Sequence, residues 1–179
     1  MLFRSRLKIN SSNRLRGIKK AIKNKLLVKQ EDNFKPFWDE VLQPNLNQVH
    51  NLKPVHSLDE IVLLQSRFPI NIKQFNVYFN NKIVAGTTIF ETDKVAHAQY
   101  ISANEIGRQN GGLDLLFNFL LEHYSEKKYF DFGIVNEMQG KKINRGLLYW
   151  KETFGGRSIV HDFYKINTAN HHLLNDIFI

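Results

Sequence analysis

The sequence predicts an α/β (α+β) fold on a mixed sheet: an antiparallel β-meander followed by β-α-β-α-β, with helices on both faces. Three observations predict it. Residues 72–102 fall into three alternating runs separated by Asn80-Asn81 and Thr92-Asp93, residue types that suit tight turns. A polar, glycine-bearing loop over 104–112 then feeds an amphipathic stretch, with Leu113, Leu116, Phe117, Leu120, Leu121 and Tyr124 at helical spacing. After it come a short apolar strand at 129–134, a helix and a last strand.

Upstream of the meander the pattern is helical. Ser11, Ser12 and Asn13 are N-cap residue types, and behind them Leu15, Ile18, Ile22 and Leu26 form one apolar stripe with basic residues on the other faces. Phe34, Phe37, Trp38, Val41 and Leu42 mark a second helix. Ser57 followed by Glu60 is a capping-box signature; it opens a third helix with Ile61, Leu64 and Phe68 on its apolar face, ended by Pro69. On the C-terminal side Ile143, Leu147, Trp150 and Phe154 mark a helix closed by Gly155-Gly156. Residues 157–166 read as the last strand, and Leu173, Leu174 and Ile177 as a short tail helix.

Charge divides the chain in two. Residues 1–30 carry ten of the 25 Lys and Arg and no acidic residue, whereas the remainder has fifteen basic against seventeen acidic side chains. The formal charge of +8 therefore belongs to a basic arm over 1–30, and the near-neutral body, 31–179, is not patterned as a nucleic-acid surface. A hydrophobic content of 42% with 14 Phe supports a packed core. The chain has no cysteine, which excludes disulfides and thiolate metal sites. His171 and His172 are adjacent and cannot share a helical face, so no metal is expected. No apolar run approaches a membrane span, and the first ten residues lack the apolar core of a signal peptide; a cytoplasmic location is the expectation.

The order of helices, meander, glycine loop, helix, strand, helix and strand resembles that of the GNAT acyltransferases. The segments KVAHAQYISANEIGRQNGGLDLLFNFL and YFDFGIVNEMQGKKINRGLLYWKETFGGRSIVHDFYKI look like the C-terminal half of FemAB-like GNAT proteins. NRLRGIKKAIKNKLLVKQ resembles the helix that joins the two halves in that family. The resemblance covers residues 12–166; the family's first GNAT-like half has no counterpart in these 179 residues.

The resemblance implies an N-acyltransferase domain that moves an acyl group from acyl-CoA to a small amine or amino-sugar acceptor, in cell-envelope or polysaccharide metabolism. It implies that the third meander strand splays from the 129–134 strand. The pantetheine arm would lie in the gap beside Gln99, Tyr100 and Ile101, with a backbone N–H near Tyr100 or Ile101 facing the thioester carbonyl. The diphosphate would sit at the helix entry around Arg108, Gly111 and Gly112. The family's Gln/Arg-x-x-Gly-x-Gly/Ala pattern is met at Arg108 and Gly111, while Leu113 stands at its last small position.

A protonated amine, with a pKa of about 10.4, must lose a proton before it attacks. Glu137, directly after the 129–134 strand, is the first candidate base. His97, which shares a strand face with Gln99, is the second, and His161 lies on the last expected strand. Tyr149 stands near the family's general-acid tyrosine. Asn136 and Asn144 suit either the polar rim of a substrate cleft or a helix cap. Two other readings stay open: aminoacyl-tRNA as donor, with the basic arm touching RNA, and a non-catalytic binding or assembly module. Residues 11–29 could pack on the domain, or join a second copy or a separate N-terminal half.

Overall fold

The computed structural model describes residues 2–3, 9–50, 53–162, 164–165 and 167–174. The strands β1 (Leu2–Phe3), β2 (Leu27–Glu31), β3 (Ile72–Phe79), β4 (Lys82–Glu91), β5 (Val95–Ala103) and β6 (Tyr129–Asp131) form one sheet in the order β1-β6-β5-β4-β3-β2. β5 and β6 pair in parallel and the other neighbours are antiparallel. The meander β3-β4-β5 lies where the alternation places it. Its first turn is made by Asn80 and Asn81, both at positive φ (49° and 61°), a conformation that Asn tolerates. A small hairpin, β7 (Asn136–Glu137) with β8 (Lys142–Ile143), follows β6.

Helices cover both faces. On one face α1 (Ser12–Lys23) and α6 (Gly112–His123) bury Ala21, Leu26, Leu116, Phe117 and Leu120 against Val77, Ile89, Ala96 and Ala98. α7 (Arg145–Glu152) extends this core, with the Trp150 ring 5.3 Å from that of Phe117. The other face is covered by a helical run in which α2 (Lys35–Phe37) and α3 (Gln43–Asn45) alternate with π turns, and by α4 (Leu58–Arg67). There Phe34, Phe37, Trp38, Val41 and Ile61 pack on Ile72, Ile83 and Tyr100. α4 starts in the expected capping box: Glu60 N–H donates to Ser57 Oγ, and Ser57 N–H donates to the Glu60 carboxylate. α5 (Glu105–Gln109) is a short turn of helix before α6.

Several elements differ from the sequence reading: the strand expected over 129–134 stops at Asp131, and the β7–β8 hairpin stands where no strand is expected. Residues 27–31, of which 27–30 are read as part of the arm, form β2 and pair with β3. The apolar stripe expected over 15–26 is only half used: α1 ends at Lys23, Ile18 and, beyond the helix, Leu26 are buried, whereas Leu15 and Ile22 face solvent. Among the described residues of 157–166 there is no strand, only an isolated bridge at Arg157. The reason is the sheet edge: β1 occupies the side of β6 away from β5, and Ile159 and Val160 stay exposed. The tail is a 3-10 helix, Thr168–Leu174. Ile166 and Ile177 lie outside the described residues.

Candidate active site

The site is made by the way β5 and β6 part. They pair over Val95↔Tyr129, Ala96↔Phe130 and His97↔Asp131, and β6 ends there while β5 continues to Ala103. At the same place β5 carries a bulge: opposite β4, Thr88 pairs with Tyr100 and Ile89 with Ala98, which leaves Gln99 as the extra residue. A one-residue insertion reverses the inward-outward alternation. Ala96 and Ala98 thus point to the α6 core, whereas Tyr100 is buried in the core on the other face. On the β6 side, Gly133 has φ +74°, and its N–H donates to Asp131 Oδ1 at 2.8 Å, which turns the chain away from β5.

A cleft of about 870 Å³ lies over the paired ends of the two strands, where Val95, His97, Tyr129 and Asp131 line it together with the chain that follows β6. Its walls are largely apolar, with Ile134, Val135, Leu148 and Val160, and His97, Asp131, Glu137 and His161 supply its ionisable groups. His97 and Asp131 form a pair: Nδ1 faces Asp131 Oδ2 at 2.8 Å, and Nε2 faces Gln99 Oε1 at 3.0 Å. A carboxylate on Nδ1 fixes the proton there and directs Nε2 as the exchangeable nitrogen. Burial pushes the Asp131 carboxyl up, but hydrogen bonds, those from His97 and Gly133 among them, hold it well below the ordinary carboxylate range. Beneath the cleft wall Lys151 is 3% exposed and donates through Nζ to Ile134 O at 2.6 Å. Burial lowers its pKa to about 8 against the opposing pull of Asp131.

The expected site residues fall into two groups. His97, Asn136 and Glu137 line the cleft, and Gln99 reaches it through His97. Glu137 is a held carboxylate: Asn144 Nδ2 donates to it at 2.7 Å and Lys142 Nζ lies 3.4 Å away. Asn144 caps α7, accepting from Leu147 N–H. Tyr149 is 59% exposed on α7 and is not among the cleft residues. The second group lies on the far part of β5 and at the α6 entry. The Tyr100 hydroxyl contacts His56 Nδ1 at 2.6 Å, and Ile101 packs on the main core. Arg108 donates to Ala103 O at 2.6 Å and to Asn45 Oδ1 at 2.9 Å. Gly111 is packed under α1 and Gly112 against Gly107 and Ala85; beside them Arg14 pairs with Asp114 in the first turn of α6 and Asn24 donates to Asn110. Burial raises the Asp114 carboxyl, opposed by Arg14.

Asp131 and Lys151 were missed by the sequence reading. Each left a signal: an acid inside the apolar strand YFDF, and a lysine beside the stripe of Leu147, Trp150 and Phe154. Among the described residues no group of side chains has metal-site geometry, and no helix is long and apolar enough to cross a membrane.

No family model matches the chain, and no curated protein matches it by sequence. Solved structures do match. The C-terminal DUF2156 domain of a putative lysylphosphatidylglycerol synthetase from Agrobacterium fabrum superposes with TM-score 0.64 at 14% identity, over 87% of this chain and 56% of that one. FemX superposes with TM-score 0.69 at 8% identity, over 87% of this chain and 57% of its own. An aminoglycoside acetyltransferase from an uncultured soil metagenomic sample, in complex with trehalose, gives TM-score 0.53 at 16% identity, over 82% of this chain and 99% of that one. The chain therefore has a GNAT-type fold, and it spans a little over half the length of the first of these structures.

Proposed function

We propose that this domain transfers an acyl group from an activated ester or thioester to a primary amine, in the cleft over the paired ends of β5 and β6. The reading rests first on the placement of the His97–Asp131 pair on the cleft wall, beside the bulge at Gln99. The amine nitrogen forms a bond to the acyl carbon as the bond from that carbon to the leaving oxygen or sulfur breaks. The bound ammonium first loses one proton to solvent; with the Gln99 amide swung away, His97 Nε2 then takes the proton lost by the attacking nitrogen and returns it to the leaving group. Asp131 stabilises the imidazolium in between. Glu137, tied to Asn144 and Lys142, serves better to orient the ammonium of the acceptor than to deprotonate it.

A FemAB-like aminoacyl transfer from tRNA is the second reading of the donor. It is favoured by the covering of the α6 entry by α1, which leaves the residues expected to grip a CoA diphosphate engaged with the protein itself. Incubation with acyl-CoA or charged tRNA pools, together with amines and amino sugars, tests both readings by mass spectrometry of the amide product. His97→Asn should lower the rate by on the order of 10²-fold or more. A folded chain that forms no amide with any donor would leave the binding-module reading instead.

A further inference from the structure

Lys151 is the most buried charge near the site, and its placement is costly. Moving an ammonium out of water costs several kcal/mol in proteins, and an apolar side chain would fill the same space on α7 without that penalty. The ammonium is not spent on a surface contact. It donates to the carbonyl oxygen of Ile134 at 2.6 Å, one residue past the left-handed Gly133, and lies about 4.0 Å from the position a Cβ on Gly133 would take. The β5–β6 register, extended by three residues, would bring Ile134 opposite Tyr100 and close the gap. Instead the Ile134 carbonyl is anchored to α7, while Ile134 and Val135 line the cleft.

We propose that Lys151 is a positioning residue, which holds the chain after β6 away from β5 and so sets the width of the gap. This rests on the reading of the cleft as the transfer site only for its functional meaning; the anchoring itself is testable without a donor. Its burial and its nearness to Asp131 tie it to the charge of the His97–Asp131 pair as well.

The test is amide hydrogen exchange on the whole chain, comparing the unsubstituted protein with Lys151→Met and Lys151→Arg. The expected result for Lys151→Met is a change of at least tenfold in exchange confined to residues 132–136 and to the facing part of β5, 99–101. Exchange in β3 and β4 should be unchanged, and Lys151→Arg should restore the original pattern. Where turnover is found, kcat should fall by a larger factor than KM rises. Unaltered exchange at 132–136, or a uniform rise across the whole sheet, would overturn the proposal. If Lys151→Met does not fold, Lys151→Gln is read by the same criterion. Absence of turnover with every donor would remove the acyl-transfer reading and leave the exchange result standing.

Discussion

The carbonyl oxygen of Gly17 lies so close to Gly111 that a Cβ at Gly111 would meet it at 2.4 Å. Gly111 also sits at φ +74°, a conformation that side-chain-bearing residues rarely adopt. Two helices distant in sequence are thus joined through backbone at the spot where a GNAT donor site would present its amides.

Gly111→Ala combines left-handed strain with this clash, and it should destabilise the fold by about 2–4 kcal/mol. Urea denaturation followed by circular dichroism measures the loss. A variant as stable as the parent would mean that α1 does not rest on α6 in solution.

The same contact predicts how donors bind. Acetyl-CoA and an acetyl-pantetheine thioester should differ in affinity by no more than about threefold, since a one-step contact difference of that size is under 1 kcal/mol. Arg108→Ala should lower the melting temperature through loss of its bonds to Ala103 and Asn45, and leave CoA affinity unaltered. Calorimetry showing a hundredfold preference for CoA would restore the α6 entry as a diphosphate site.

Asp131→Asn removes the carboxylate that orients His97. Turnover should fall by roughly 10²–10⁴-fold, the range seen when a histidine base loses its orienting acid. The folded pKa of Asp131 is depressed, so its contribution to stability is complete above its unfolded value of about 3.9 and is lost as pH falls through the folded one. Acid denaturation of Asp131→Asn should therefore be shallower than that of the parent in that range.

Lys151 predicts a dependence at the other end of the scale. Its pKa is about 8 in the folded chain against an ordinary 10.5, so the unfolded state binds more protons between those values. Stability should therefore rise with pH across this window, by about 3 kcal/mol at roughly 1.4 kcal/mol per unit. Stability curves of the parent and Lys151→Met, subtracted from one another, isolate the effect. A flat difference from pH 8 to 10.5 would mean that the amine is solvated.

The architecture was legible wherever a single periodicity ruled: the meander, the Asn80-Asn81 turn, the Ser57 capping box and the α6 stripe. The last strand was misread because Ile159 and Val160 carry strand propensity, while pairing depends on a free sheet edge, which β1 takes. Tyr100 and Ile101 are expected beside the donor through the family resemblance, by their backbone; the side chains turn to the two cores because of the bulge at Gln99. A bulge depends on the partner strand and leaves little trace in one sequence. His97, Gln99 and Glu137 were legible as polar residues around a strand end. Asp131 and Lys151 were passed over because each reads locally as an oddity on an apolar stripe; they become meaningful only once β5, β6 and α7 are brought together.

The docking of α1 on α6 also sets a timetable for synthesis. α1 leaves the ribosome about ninety residues ahead of α6, the helix whose core takes in Ala21. At cellular elongation speeds that is an interval of roughly ten seconds with its apolar side uncovered. Arg14, Arg16, Lys19, Lys20 and Lys23 put five like charges on that segment, and like charge opposes association until α6 closes over it.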